Sequence, residues 1–160
     1  MKKITKVVGL EGFCNSGKSH VLKELCKSML AHQGCRVLQV YQSNGDVDTE
    51  KSKINYDDDI CVLLDFRGKT VLIVSNGDYS WQPRAITNII LKISVGVDVV
   101  FVAMRFKYPA IGEEYRKTFG EYGIQVKSIF KPGCKRVDYF PEGTLAWIDS
   151  LWVQKLLAEL

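Results

Sequence analysis

Ile4-Thr5-Lys6-Val7-Val8-Gly9-Leu10-Glu11-Gly12-Phe13-Cys14-Asn15-Ser16-Gly17-Lys18-Ser19-His20 is the stretch whose reading decides the fold. Residues 4–10 form an apolar run of strand length that gives way to glycines. The chain then turns through Gly12 and Gly17, and from residue 18 the pattern changes. Val21, Leu22, Leu25, Met29 and Leu30 recur at helical spacing as far as residue 33, where Gly34 supplies a stop signal. A strand, a glycine-bounded loop and an amphipathic helix follow one another directly.

Outward from this unit, residues 36–41 read as a second strand carried by Val37, Leu38 and Val40. Residues 43–59 differ in character: these seventeen positions hold six acids and two lysines. They predict a long exposed loop that orders only over a ligand, since it has too few apolar side chains to offset its ordering entropy. Two apolar runs come next, 60–66 and 70–74, joined by Arg67-Gly68-Lys69. So short a connection forces an antiparallel hairpin, because parallel neighbours need a crossover.

Pro83 opens a helix with Ile86, Ile89, Ile90 and Ile93 on one face and Gly96 at its end. Residues 97–103 are the most continuous apolar run, the pattern of a sheet centre covered on both faces. A short helix at 113–121 presents Tyr115 and Phe119, and 124–130 is a further core strand. The last helix, 143–160, places Leu145, Ile148, Trp152 and Leu156 along one stripe. Strands alternating with helices predict an α/β fold: three layers, α/β/α, with a mostly parallel five-stranded core sheet plus one antiparallel hairpin strand.

A chain of 160 residues is predicted to be a single domain, 1–160. Hydrophobic residues at 46% and charged residues at 25% exclude disorder, collagen-like repeats and a coiled coil. The net charge of +4 is short of a dedicated nucleic-acid binder and suits an anionic small molecule equally well, so nucleic acid is not indicated as a partner. No apolar run approaches the ~18 residues of a membrane span. Residues 7–10 are too short for a signal-peptide core, so a cytoplasmic protein without a membrane partner is expected. The five cysteines are odd in number and have no C-x-x-C pair, the pattern of reduced thiols.

Gly12-Phe13-Cys14-Asn15-Ser16-Gly17-Lys18-Ser19 reads G-x-x-x-x-G-K-S between a strand and a helix. Gly12 and Gly17 permit positive φ, which turns backbone amides inward as a nest for phosphate oxygens. The positive end of the following helix adds to the attraction. Lys18 is placed to reach β- and γ-phosphates, and the Ser19 hydroxyl to coordinate Mg²⁺. The predicted cofactor-binding set is Gly12, Asn15, Ser16, Gly17, Lys18, Ser19 and His20. Cys14 sits inside the loop as a spacer.

On these residues the chain resembles the P-loop NTPase superfamily and, loosely, its nucleotide kinases. The resemblance implies a nucleoside triphosphate, ATP, with Mg²⁺, and an acid at the end of an apolar strand. Asp65 fits that pattern literally, yet it ends the hairpin arm that runs away from the phosphate side. Asp78, beyond Ser75-Asn76-Gly77 on the arm parallel to the first strand, is therefore the predicted metal-side acid beside Ser19. Arg105 follows the central strand, where an arginine stabilises charge on a transferring phosphoryl group. The predicted catalytic set is Lys18, Asp78 and Arg105.

Residues 131–136, Lys131-Pro132-Gly133-Cys134-Lys135-Arg136, read either as a base contact or as a basic surface turn. Asp57-Asp58-Asp59 reads as a solvated run, and Trp81, Trp147 and Trp152 as packing residues. The expected function is a small kinase or NTPase acting on the γ-phosphate, with a small-molecule or protein phosphate acceptor. No glutamate follows either apolar strand to position water, which favours transfer over hydrolysis. The alternative is a nucleotide-binding switch or partner protein with slow turnover, although no N-K-x-D base motif is present.

Overall fold

The computed structural model describes residues 4–13, 17–42, 54–77, 82–93, 96–105, 111–132 and 144–160. In chain order the elements are β1 (Ile4–Gly12), α1 (Lys18–Leu30), β2 (Arg36–Val40), β3 (Cys61–Phe66), β4 (Lys69–Val74), α2 (Gln82–Lys92), β5 (Val97–Arg105), α3 (Ile111–Gly120), β6 (Val126–Phe130) and α4 (Thr144–Leu157). The strands form one six-stranded sheet in the order β2-β3-β4-β5-β1-β6. β1 pairs parallel with β5 and β6, and β4 parallel with β5; β3 is antiparallel to both its neighbours. Five strands thus share one direction and β3 opposes them.

Alternation along the strands divides the core between two faces. Val8 and Leu10 of β1 and Val99, Phe101 and Ala103 of β5 pack with Val21, Leu22, Leu25 and Met29 of α1 and with Val153 and Leu156 of α4. Val7, Val100, Val102 and Met104 face the other way, against Ile86, Ile89 and Ile90 of α2 and Tyr115 and Phe119 of α3. The helices therefore cover both sides of the sheet; β5, in its middle, is buried along nearly its whole length, and its neighbour β1 is buried from Val7 to Leu10. Among the described residues no helix is long and apolar enough to cross a membrane.

The expected architecture holds, with three differences in detail. First, β3 is inserted between β2 and β4, so β2 has no parallel neighbour and is an edge strand. Its Val37 and Leu38 are consequently exposed. Second, the 124–130 strand shortens to β6 at the opposite edge, where only Ile129 is buried. Third, α4 turns a different stripe inward. Asp149, Val153 and Leu156 are buried, whereas Ile148 and Trp152 are half-buried and Trp147 is exposed; the Leu145 side chain lies outside the described residues.

The acidic segment 43–59 is also more anchored than its composition implies. Positions 43–53 lie outside the described residues, but Ile54 and Tyr56 pack on the α1 face of the core. The Tyr56 hydroxyl donates to Cys26 Sγ at 3.6 Å, and Lys27 Nζ lies 4.8 Å from the centre of its ring. Two aliphatic and aromatic contacts hold this end, which a count of charges does not register.

Candidate functional site at the carboxyl ends of the strands

β1 carries the chain to Gly12 at the centre of the sheet, and α1 starts again at Lys18 beneath it. Gly17 caps α1 at φ 87° and ψ 13°, a left-handed conformation that a side chain would strain. Its carbonyl accepts the Val21 amide at 3.0 Å, so the helix ladder begins at the glycine itself. Lys18 is 6% exposed, and its ammonium donates to the Phe13 carbonyl at 2.8 Å. A lysine charge folded across the loop that precedes it is a cation held in place. Asn15 and Ser16, with Cys14, lie outside the described residues.

The Ser19 hydroxyl donates to the Ser75 carbonyl at 3.0 Å. This bond ties the first turn of α1 to the carboxyl end of β4, two strands from β1. Because Ser19 spends its proton on that carbonyl, the lone pairs of its oxygen remain available to an electrophile.

Ser75 is completely buried and is the hinge of a second set of bonds. Its amide donates to the Ile60 carbonyl at 2.9 Å, and the Ile60 amide donates back to Ser75 Oγ at 2.8 Å. The β3–β4 ladder is so extended by one pair beyond Cys61 and Val74, with a side chain standing in for a backbone acceptor. The Ser75 hydroxyl proton goes to Asp59 Oδ1 at 2.9 Å. Asp59 itself is exposed, so its carboxylate is held at one oxygen and open to solvent.

Asp59 is solvated, as the acidic run implies, and one of its oxygens is in addition held by Ser75. The hairpin geometry that removes Asp65 from this end brings Asp59 to it, since β3 starts at this end and runs antiparallel to its neighbours toward the other. Asp65 stands in register with Thr70 and Arg36, and its carboxylate takes the Arg36 guanidinium at 3.4 Å, at the far ends of β4 and β2. Its sequence signal is its place just before the 60–66 run, although that alone does not separate it from Asp57 and Asp58. Asp78, the acid expected there, lies outside the described residues.

Arg105 ends β5 in register with Gly12, and its amide donates to the Gly77 carbonyl at 3.3 Å. It therefore stands one strand from the glycine-rich segment. Gly77 is obligatory for this approach: a Cβ there would lie 2.0 Å from the Ala103 carbonyl oxygen. His20 turns away from the strand ends and bonds Asp149 of α4, Nε2 to Oδ2 at 3.1 Å. Lys131 is 3% exposed, its amide on the Glu11 carbonyl at 2.7 Å and its ammonium 5.8 Å from the Trp152 ring. It is thus neither a surface turn nor an open contact, and positions 133–136 lie outside the described residues, as do Trp81 and Lys107.

Between the start of β3 and the first turns of α2 lies a narrow pocket with Asp59, Asn76 and Gln82 as polar groups and Cys61, Val74 and Ile86 as apolar wall. It has room for little more than a water molecule. Burial pushes the thiols of Cys61 and Cys26 up to about 12 and about 11, so neither is a thiolate nucleophile at neutral pH. Among the described residues no three histidine, cysteine or carboxylate side chains converge to hold a metal ion by themselves. No protein-family model, curated protein or solved structure matches the chain, and the site is read from its own geometry.

Proposed function

We propose that this chain is a Mg²⁺-dependent, ATP-binding protein of the P-loop kind, a small kinase or NTPase that acts on the γ-phosphate. The observation that carries the reading is the Ser19–Ser75 bond, 3.0 Å, which joins the helical turn that begins with the buried Lys18 to the residue whose own hydroxyl holds the Asp59 carboxylate. A hydroxyl with free lone pairs, a fixed cation and one open carboxylate are the groups a metal–triphosphate needs at a helix N-terminus.

The donor set fits the cofactor. Magnesium is commonly held by one or two protein oxygens, with phosphate and water completing its shell, and a serine hydroxyl and a carboxylate oxygen are donors of that kind. Ser19 and a carboxylate, Asp59 or Asp78, would hold it. Bound there, the ion supplies neutralisation of charge on the phosphates. Lys18 exchanges the Phe13 carbonyl for a phosphate oxygen, a stronger, charge-assisted partner. Arg105, on the strand beside Gly12, offers a second cation on the same edge. A phosphoryl acceptor is the partner that such a site serves in a kinase.

Titration calorimetry with ATP and Mg²⁺ tests the reading. Replacing Lys18 by Ala removes one charged hydrogen bond and should weaken ATP roughly 10- to 100-fold while the circular dichroism stays native. ATP affinity that is undetectable in the wild-type chain, or equal in both, overturns the assignment.

A further inference from the structure

The groups available to the far end of a triphosphate lie on one side of β1. Arg105 ends the neighbouring strand β5 in register with Gly12, and Ser75 and Asp59 stand further along the sheet, after β4 and before β3. A nucleotide that turns its γ-phosphate toward them directs its ribose and base the opposite way, toward β6. β6 is the edge strand of the sheet on that side.

What the chain presents there is aromatic. Phe130 closes β6 in register with Glu11, the residue before Gly12, and Phe13 is the residue after Gly12. The two rings meet edge to face, their centroids 6.1 Å apart and their planes at 86°. Both residues are 46% exposed. The backbone that carries them is tied down on both sides. The Lys131 amide donates to the Glu11 carbonyl at 2.7 Å, which fastens the end of β6 to β1. The Phe13 carbonyl takes the Lys18 ammonium at 2.8 Å, so one residue bears both a ring of the pair and the acceptor that holds the loop's cation.

The size of the patch selects its occupant. Each ring leaves roughly 90 Å² in water, on the order of 200 Å² together, against about 800 Å² on each side of a specific protein interface. Along β6 the patch ends at Ser128, two residues back on the same face, whose hydroxyl accepts the Arg116 guanidinium at 3.3 Å. That is too little for a partner chain or a second copy, and it matches one planar heterocycle. Rings set at a right angle form a corner, in which a flat ligand stacks on one face and meets the other ring edge-on.

Resting on the phosphate reading above, we propose that Phe13 and Phe130 seat the base of the nucleotide and that the base is a purine. Neither side chain has a hydrogen-bonding group, so the pair selects by stacking area, and two fused rings cover more of it than one.

Titration calorimetry with Mg²⁺ compares ATP, CTP and ribose 5-triphosphate, which lacks only the base. The wild type should bind ATP roughly tenfold or more tighter than ribose 5-triphosphate, with CTP between them. Phe13→Ala and Phe130→Ala should each bring ATP down toward the baseless ligand, whose own affinity stays within about twofold and so reports an intact loop. Phe130→Tyr should keep the preference, and Leu91→Ala, equally exposed but on α2, should change nothing. Ribose 5-triphosphate as tight as ATP on the wild type, ATP unmoved by both alanines, a parallel loss of both ligands, or CTP equal to ATP overturns the proposal and leaves the phosphate site standing. Absence of binding by all three ligands removes the phosphate reading itself, and the base seat with it.

Discussion

Asp59 and Asp65 are six residues apart, one just before β3 and one near its end, and the strand carries them to opposite ends of the sheet. Asp59 shares Ser75 with Ser19, while Asp65 shares a surface ion pair with Arg36. Asp59→Asn should therefore weaken Mg²⁺-dependent ATP binding, roughly tenfold for one charged contact, whereas Asp65→Asn should leave it unchanged. Titrating Mg²⁺ into both variants, with Asp78→Asn beside them, decides which acid serves the metal. Equal loss in the Asp65 variant would mean the ends are assigned wrongly. Gly17 was legible, because a left-handed turn into a helix has one use for a glycine, and its φ is 87°. Asp59 was not, because a run of three acids looks alike at every position until a partner picks one. Gly77 was likewise silent: its need is set by the Ala103 carbonyl across the sheet. Gly77→Ala should cost about 1–3 kcal/mol, read as a lower urea midpoint at unchanged slope.

At the scale of elements, the hairpin was the most legible feature, since the three residues Arg67-Gly68-Lys69 between its runs leave no choice of direction, and the structure narrows the turn to Arg67 and Gly68. Arg67 and Gly68 both adopt positive φ, 50° and 78°, the geometry that matches the twist of the strands they join. Nothing lies within 4 Å of the Gly68 Cβ direction, so Gly68→Ala isolates the backbone term. It should cost about 1 kcal/mol, measured by chemical denaturation, with ATP affinity unchanged. The stripe of α4 was misread for a physical reason. A helix with leucine and tryptophan on several sides has no single apolar period, so spacing alone cannot say which side faces in. The structure chooses Val153 and Leu156, with Asp149 carried in beside them to meet His20. Val153→Ala should then cost ~2 kcal/mol, whereas Trp147→Ser should stay within about 0.5 kcal/mol of wild type. A large loss on Trp147→Ser would reverse the orientation of the helix.

At the scale of the whole molecule, the two ends of the chain are fastened by charge. Glu159, just beyond α4, takes the Lys6 ammonium of β1 at 2.5 Å and the Lys127 ammonium of β6 at 2.7 Å. Lys6 also donates to the Glu159 carbonyl at 2.9 Å, and Lys69 of β4 donates to the Leu160 carbonyl. Hydrogen bonds from Lys127 and Lys6 hold the Glu159 carboxyl below its ordinary value of 4.5. The folded protein then binds fewer protons than the unfolded chain wherever pH lies between the two values, so stability rises with pH through that window. The contribution is complete above pH 4.5 and disappears as pH falls through the lowered folded value. Both lysines are partly solvated, which limits the pair of contacts to about 1 kcal/mol or less. Glu159→Gln should lower the urea midpoint at pH 7, and the gap to wild type should close as pH falls through the lowered folded value of Glu159. A gap that stays constant as pH falls from 7 into the acid range would show that Glu159 acts by packing alone. Raised salt gives an independent reading, because it should narrow the gap at pH 7 by screening the partly exposed lysines and have no effect on the gap once the carboxyl is protonated.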